Sequence, residues 1–356
     1  MAGLDPFLGL GFLALYLLLG TAIAVASRRR AGADSRGYFV AGYSLGGFLS
    51  AMTYAATTYS AFMMVGLVGL SYATGVGALG FELLYLIATL TLLTLYAPRV
   101  WEEARRRGWV SPAEMLGSLY GSRALQVLVA ALYLVALIPY ASAQLVGIGK
   151  LFAAVPGGYP LGVSIGAAVV LLWTAMAGIW SVATTDAFQG LWMLTAATGF
   201  VLWVALFLAP SRGISVAEAF SLLGREGYLG LRAPWSLAVF LAYTIPWIFF
   251  AVTNPQVVQR IYMPRDRNAL RRMIVYFALF GLTYTALVTF TGLVARGLAI
   301  AGEFPVVRDR DLVTPVLLGY AHPLLAAFVF TSIVAAAVST ADSLAVSYTH
   351  LTLPTN

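Results

Sequence analysis

Apolar stretches long enough to form helices recur along the whole chain, with short polar connections between them. The first stretch covers residues 5–26, and eight more follow at about 46–72, 78–97, 124–152, 159–178, 186–209, 235–256, 272–298 and 324–346. About 20 consecutive apolar residues suffice to cross a bilayer as a helix. The pattern therefore predicts nine membrane-spanning helices with no soluble domain between them.

Composition supports the same class of protein. Hydrophobic residues make up 61% of the 356 positions, charged residues only 10%, and the mean hydropathy is +0.87, whereas soluble domains carry about 25% charged residues. The chain has no cysteine and two histidines, His322 and His350. Disulfides and thiolate metal sites are thereby excluded, and no histidine cluster, pair of acids or nucleophile elbow indicates an enzyme.

Basic residues lie in short runs between the apolar stretches. With the N-terminus outside, the inner connections near 27–37, 98–123, 179–185 and 257–272 hold 14 of the 21 Lys and Arg residues, counted from the sequence. These are Arg28, Arg29, Arg30, Arg36, Arg99, Arg105, Arg106, Arg107, Arg123, Arg260, Arg265, Arg267, Arg271 and Arg272. Cytoplasmic loops carry such an excess, so the net charge of +7 indicates a multi-pass protein of the cell membrane with its N-terminus outside, rather than a nucleic-acid partner. No obligate protein partner is indicated.

Two outer connections, 210–234 and 299–322, are long enough for short external helices that cover a vestibule. At the other end, residues 347–356 read SYTHLTLPTN and lack the charges that close the earlier inner ends. We therefore expect one transmembrane domain over 1–346, followed by a non-native or frameshifted tail at 347–356.

The most informative stretch is TSIVAAAVSTADSL at 331–344, an apolar helix with hydroxyls and a carboxylate. A carboxylate in hydrocarbon costs roughly 2.5–3.5 kcal/mol, so Asp342 should face protein, water or a cation. Helical spacing places Ala336, Ser339 and Asp342 on one side, and Thr340 adds a second hydroxyl. These oxygens suit a hard cation. Alternatively, the hydroxyls only bond to carbonyls of their own helix.

Two other spans predict discontinuous helices. The run Thr57, Thr58, Tyr59, Ser60 lies mid-membrane, where hydroxyls can satisfy backbone groups freed by unwinding, although an intact helix is the alternative. In the seventh span, Asn254 followed by Pro255 can bend or end the helix.

Several buried polar or aromatic side chains remain open to more than one interpretation. Asp186 has Gln189 one turn later and either relays a cation or caps its helix. Trp247 either flanks a solute or packs, and Gln144 adds polarity to the fourth span. Glu82 is a further intramembrane acid without an evident partner.

Together these stretches resemble the sodium:solute symporter family. The matching segments are YFVAGYSLGGFLSAM at 38–52, AATTYSAFMMVGLVG at 55–69, SVATTDAFQG at 181–190, NPQVVQR at 254–260 and AAAVSTADS at 335–343. Five segments in the family's order, within residues 36–346, make the resemblance specific. It implies a LeuT-like fold of five-plus-five inverted repeats with an extra N-terminal helix, solute between two broken helices, and a second repeat that lacks two helices here.

The resemblance also implies site residues. The family's sodium site maps onto the carbonyls of Ala56, Tyr59 and Ala336 and the hydroxyls of Ser339 and Thr340, and its acid on the sodium exit path onto Asp186. Its solute-facing positions map onto Ser60, Gln144, Trp247 and Asn254. Thr58 and Ala251 stand where its proline transporters carry Asp and Tyr, which argues against proline.

We therefore expect sodium-coupled symport of a small organic solute into the cell by alternating access. A monocarboxylate, pantothenate or an amino acid would serve as the solute. The alternatives are a membrane sensor of the same fold joined to a C-terminal signalling module, and proton coupling through Asp342 or Asp186.

Overall fold

The computed structural model describes residues 5–27, 35–152, 157–231 and 234–352. Over these residues the chain is helical, and its one extended pairing is an isolated parallel bridge between Leu45 and Pro264. Arg28, Arg29 and Arg30, expected in the first inner connection, lie outside the described part, and so do the last four residues of the expected tail, 353–356.

The helices follow one another with few long connections. In the first half they are α1 (Pro6–Ser27), α2 (Ser35–Val40), α3 (Gly47–Thr58), α4 (Val68–Thr74), α5 (Gly77–Arg107), α6 (Pro112–Leu119), α7 (Arg123–Phe152) and α8 (Gly158–Trp203). In the second half they are α9 (Ala209–Ser211), α10 (Val216–Arg225), α11 (Leu237–Ile248), α12 (Phe250–Thr253), α13 (Pro255–Tyr262), α14 (Arg267–Ile300), α15 (Val313–Leu318) and α16 (Pro323–Thr352).

All nine predicted apolar stretches are helical, although they do not all have full length. Seven helices are long and apolar enough to cross a membrane, and the bent pair at 47–74 makes an eighth. The stretch predicted at 159–178 corresponds to a shorter apolar helix, Gly158–Thr174. Among the spans in the described residues, α16 is the most enclosed. Of its most apolar stretch, 83% is buried inside the protein, so α16 forms the centre of the bundle.

The second span is broken, as predicted. Helix α3 ends at Thr58, Tyr59 has an extended backbone (φ −96°, ψ 94°), and the segments on either side are inclined by 58°. A hydroxyl satisfies one of the freed groups, because Ser60 Oγ accepts from the Phe62 N–H (3.2 Å), whereas Thr58 Oγ1 donates to the Tyr54 carbonyl within α3 (2.7 Å). The chain then continues through a π-helical turn, Met63–Leu67, into α4.

The seventh span is also discontinuous. Asn254 is extended (φ −79°, ψ 120°), and Pro255 opens α13 at a position where its missing N–H has no cost. The Asn254 carbonyl accepts from the Val258 N–H (3.0 Å), so the new helix starts at once. The prediction of a break at Asn254–Pro255 is confirmed.

Three predicted boundaries were wrong. Residues 179–185, expected as an inner connection, are helical, because Gly178 alone makes the turn between two spans with φ +57°. Helix α5 continues through Pro98 to Arg107 and ends where Gly108 turns left-handed. Helix α16 continues to Thr352, six residues past the end expected for the ninth span, and the expectation of a non-native tail at 347–356 stays a prediction.

Both long outer connections contain short helices, as expected. They are α10 in the first connection, and α15 with a preceding 3-10 turn (Arg310–Leu312) in the second. The second connection, together with the π-helical turn at 63–67, covers one end of the bundle: Thr314 Oγ1 donates to the Met64 carbonyl. We call the opposite end, where α5 and α13 end and α14 begins, the arginine-rich side.

Candidate functional site

The predicted cation site lies where the break in the second span meets the middle of α16. Ser339 Oγ lies 3.0 Å from both the Ala56 and the Ala336 carbonyl oxygens, and Thr340 Oγ1 lies 3.4 and 3.2 Å from them. Ala56 belongs to the last turn of α3, whose carbonyls lack intrahelical partners. All four residues are fully buried. Four oxygens from two helices thus converge, and such ligands suit a hard cation.

The alternative, in which the hydroxyls bond only to their own helix, explains the contacts with Ala336 but not those with Ala56. Each hydroxyl reaches its own helix at Ala336 and also reaches across to Ala56 on α3. Tyr59 follows directly after α3, and its non-helical backbone removes its carbonyl from the helix ladder, while its ring stacks on Phe277, 5.9 Å between centroids. Any ligand role of Tyr59 therefore belongs to its carbonyl and stays a prediction.

A second polar layer adjoins the site on the arginine-rich side. Thr53 Oγ1 donates to Asp186 Oδ2 (2.6 Å), and Arg260 places a guanidinium nitrogen 3.7 Å from the same oxygen. Another pair, the hydroxyls of Thr57 and Ser343, lies 2.6 Å apart. All five side chains are fully buried. The layer connects α3, α8, α13 and α16, and two of these helices, α3 and α16, also form the predicted cation site.

Asp342 lies one residue before Ser343 and is also fully buried. Among the residues that the structure describes, neither of its carboxylate oxygens has a hydrogen-bond partner. Its predicted placement in protein rather than lipid is confirmed. Gln189 connects Asp186 to the first helix: with its amide nitrogen turned to Asp186 Oδ1 (3.2 Å), its oxygen accepts from the Tyr16 hydroxyl (2.7 Å).

Two sequence-based interpretations need correction here. Asp186 does not cap a helix, because its span begins at Gly178, two turns earlier, and the carboxylate pairs with side chains of other helices. Arg260 does not lie in an inner connection. The break at Asn254 restarts the helix as α13, which carries the guanidinium into the bundle. Several other arginines expected in inner connections, such as Arg105 at the end of α5 and Arg267 at the start of α14, also belong to helices, but they lie at helix ends.

The four predicted solute residues fall into two groups. Ser60 and Gln144 line a cavity of about 520 Å³ whose other lining residues include Lys150, Asp309 and Asp311. Lys150 Nζ lies 3.9 Å from Asp311 Oδ2. The connection at 299–322, which the sequence predicts to be external, thus covers this cavity.

Trp247 and Asn254 line a different cavity, of about 370 Å³, beside Tyr133 and Tyr140 of α7. The ring of Trp247 lies 5.8 Å from that of Tyr85, and Asn254 Oδ1 is buried without a hydrogen-bond partner among the described residues. This structure therefore does not bring the four residues into one pocket. Their solute role stays a prediction.

Sequence reasoning missed Thr53, Ser343 and the inward position of Arg260. The signal was present in QVVQR at 256–260, where Gln256, Gln259 and Arg260 follow a proline break at helical spacing within an apolar span. An arginine at that position needs an acid, and Asp186 is the partner that the structure supplies.

Comparison with known proteins agrees with this arrangement. The sequence model of the sodium:solute symporter family matches residues 38–352. The osmoregulated proline transporter of Bacillus subtilis is 27% identical over 325 residues, which are 87% of this chain and 63% of the relative. The sodium/pantothenate symporter of Escherichia coli is 26% identical over 265 residues, 73% of this chain and 54% of the relative. The chain thus spans less than two thirds of these relatives' length.

Among solved structures, a Na⁺-coupled sialic acid symporter in a substrate-bound outward-open state superposes with a TM-score of 0.82. It is 17% identical, and the match covers 97% of this chain and 73% of the other. The likeness shows the LeuT-like fold. The family and this neighbour are transporters rather than enzymes. From the motifs, the broken helices and a family match over most of its length, we conclude that the chain belongs to the sodium:solute symporter family.

Proposed function

We propose that the protein couples entry of sodium to uptake of a small organic solute across the cell membrane. The observation that carries the proposal is the approach of Ser339 and Thr340 to the Ala56 carbonyl, which joins α16 to the end of α3. A sodium ion between these oxygens would hold the two helices together. Ser60 follows four residues after Ala56 and lines the 520 Å³ cavity, so sodium and solute would act on the same broken segment.

This arrangement couples the two ligands only if sodium favours the conformation that binds solute. Equal affinity of sodium for both conformations would leave the equilibrium between them unchanged. The membrane potential adds about 2.3 kcal/mol per sodium per 100 mV, enough to concentrate a solute roughly 50-fold for one coupled charge. We propose the arginine-rich side as the cytoplasmic side and the N-terminus as outside, since arginines cluster at the end of α5 and the start of α14 on that side.

The solute class that we propose covers monocarboxylates, pantothenate and amino acids. Relatives named for proline and pantothenate transport support this class, and a cavity of about 520 Å³ is of the size that small organic ligands occupy. We do not propose proline itself as the solute, because Thr58 and Ala251 stand where the family's proline transporters carry Asp and Tyr.

Thermal unfolding of the purified chain in sodium against potassium, at equal ionic strength, tests the cation site. A ligand at 100 times its dissociation constant stabilises by about 2.7 kcal/mol, which raises the midpoint by several degrees. Thr340→Ala should abolish this sodium-dependent rise, because it removes one of the two hydroxyls facing Ala56.

Thr331→Ala is the matched control. Thr331 is also a buried threonine of α16 that bonds to the carbonyl four residues earlier (2.9 Å), but it lies outside the site. The Thr331→Ala variant should keep the sodium-dependent rise. An equal loss in both variants, or no sodium effect in the parent protein, would contradict the site. A midpoint that responds to pH but not to sodium would favour proton coupling.

A further inference from the structure

The feature behind this inference is Arg260. It is the only lysine or arginine with a fully buried side chain in the described ranges 5–27, 35–152, 157–231 and 234–352. Its three guanidinium nitrogens each have an acceptor: Nη2 donates to Ser343 Oγ (2.6 Å), Nη1 to the Gln256 carbonyl (2.9 Å) and Nε to Thr53 Oγ1 (3.3 Å). Burial of a charge is costly unless it is paired, so the surroundings of Arg260 are built to hold a cation.

The guanidinium lies next to the cation site along the helices. Thr57 directly follows Ala56 on α3, and Ser343 comes three residues after Thr340 on α16. Their hydroxyls are 2.6 Å apart, and Arg260 bonds to one of them. An ion that leaves the Ala56 and Ala336 carbonyls towards Asp186 therefore meets the guanidinium first.

We propose that Arg260 is a tethered cation that closes the inner end of the sodium path and has to leave Asp186 and Ser343 before sodium can pass. This inference rests on the proposed function, since it assigns a step in sodium release to a residue outside the sodium site. Arg260 is thus a positioning residue, which acts on the ion through Asp186 and Ser343.

Two physical reasons support this role. Two cations cannot share one small buried set of oxygens, since like charges a few ångströms apart repel strongly in a medium of low dielectric constant. The guanidinium also sits on an element that can move: α13 has only eight residues and follows the break at Asn254. A swing of α13 about that break would withdraw Arg260 from Asp186 on α8 and Ser343 on α16.

The test uses a single thiol as a reporter of access. The chain has no cysteine, so Ser347→Cys introduces the only reactive thiol. Ser347 is buried one turn beyond Ser343 on α16 and donates to its carbonyl (3.1 Å). A membrane-impermeant, positively charged methanethiosulfonate reagent, applied to proteoliposomes, measures how fast the thiol is reached from the arginine-rich side. Ser332→Cys is the control thiol, because Ser332 lies on the same helix but outside the second polar layer around Asp186 and Arg260.

In the parent protein we expect slow labelling at position 347. The pair Arg260→Gln with Asp186→Asn removes both charges and leaves no unpaired buried ion, and it should raise the labelling rate about tenfold or more, in potassium as in sodium. Arg260→Lys keeps the cation and should label at close to the parent rate. Labelling of the control thiol should not change in either background.

Two results would overturn the proposal. If the doubly neutral variant labels as slowly as the parent protein, Arg260 only neutralises Asp186. If Arg260→Lys labels as fast as the doubly neutral variant, the positive charge is not what closes the path. The labelling in potassium needs no sodium site, so it remains decisive even if the parent protein shows no sodium-dependent unfolding midpoint, a result that would contradict the proposed function alone.

Discussion

At the scale of single residues, Tyr59 shows how backbone and side chain can serve different neighbours. Its backbone leaves α3 at the cation site, whereas its ring stacks on Phe277 and Phe280, with 5.9 Å between centroids in both pairs. The hydroxyl lies against Gly281 on α14, where a Cβ atom would come within 2.3 Å of it. The position of the broken segment therefore depends on a glycine of another helix.

Gly281→Ala should lower the unfolding midpoint and reduce its sodium-dependent rise, because the added methyl group pushes Tyr59 and the carbonyls beside it. Overpacking of this kind typically costs about 1–3 kcal/mol. Adding Tyr59→Phe should restore part of both losses, since it removes the 2.3 Å contact, while Leu86 Cδ1 at 2.9 Å and the ring of residue 59 at 3.2 Å still have to give way. Thermal unfolding in sodium and potassium measures both effects.

Gly199→Ala is the control for that pair. Its Cβ would meet only Leu325 at 3.7 Å, an ordinary contact, so the midpoint should stay constant or rise slightly. A Gly281→Ala variant that behaves in the same way would show that the ring of Tyr59 can move without affecting the site.

Residue identities alone singled out Ser339 and Thr340, whose hydroxyls converge with the Ala56 carbonyl in the structure, because oxygen-bearing side chains are rare enough in apolar spans to be noticed. Their role as cation ligands stays a prediction. Residue identities did not predict the partners of Arg260. Its neighbours Thr53, Asp186 and Ser343 come from three different helices far apart in the sequence, and only packing shows which of them lie within reach.

At the scale of helices, breaks that use proline or clustered hydroxyls could be predicted, and a turn made by a single glycine could not. At Asn254–Pro255 the proline removes a backbone donor, and the polar run before Ser60 supplies hydroxyls for freed backbone groups. Both features are visible in the sequence. Gly178 turns the chain through its positive φ of +57°, a conformation that some glycines here adopt and others do not, and the sequence does not show which. The sequence therefore predicted a connecting loop at 179–185, where the chain is in fact helical.

The N-terminus of α14 offers a test outside the membrane-spanning segments. Asp266 Oδ1 accepts from the Ala269 N–H (2.7 Å), and this hydrogen bond, with a smaller contribution from Arg265, holds the pKa of the Asp266 carboxyl below its usual range. A carboxyl whose pKa is lower in the folded state stabilises at neutral pH, and this contribution is lost as the pH falls through the lowered value.

Asp266→Ala should therefore unfold at a lower temperature than the parent protein at pH 7, and the gap should shrink below about pH 4. Asp266→Asn keeps an acceptor for the helix end and should lose less. The measurement is the unfolding midpoint of all three proteins from pH 7 to pH 3. A gap that does not change with pH would mean that the charge of Asp266 has no role in the cap.

At the scale of the whole molecule, the two broken spans are joined at the arginine-rich side. The Leu45 N–H donates to the Met263 carbonyl (3.0 Å), and the Arg265 N–H donates to the Leu45 carbonyl (2.8 Å). Arg105, from the end of α5, donates to the carbonyls of both Tyr43 and Pro264. The start of α3 and the end of α13 thus form one unit with α5.

Arg105→Gln should loosen this unit, because one guanidinium nitrogen serves both carbonyls and the shorter amide cannot reach them. We expect faster hydrogen exchange at the amides of Leu45 and Arg265, by about tenfold or more for a loss of roughly 1.4 kcal/mol in the local opening free energy. Arg106→Gln, which removes an exposed ion pair with Glu103, should leave the exchange of these amides unchanged. Equal exchange in the two variants would show that Arg105 does not hold the unit together.

The overall fold was the most predictable level. The helical class follows from hydropathy, although hydropathy predicted nine spans and seven or eight helices of the described residues are long and apolar enough to cross a membrane. The family's motifs predicted the LeuT-like arrangement, which the structural match confirms. The solute pocket was the least predictable. Ser60 and Gln144 lie in one cavity and Trp247 and Asn254 in another, because relative helix positions decide which side chains meet.

The bridge between Leu45 and Pro264 has a pharmacological consequence. Two hydrogen bonds fasten the ends of both broken spans to each other, so a molecule that grips either end immobilises both. A ligand bound at this side would not need to resemble the proposed solute or to occupy the predicted sodium site. Contact with one short bridge would reach the ends of both broken spans.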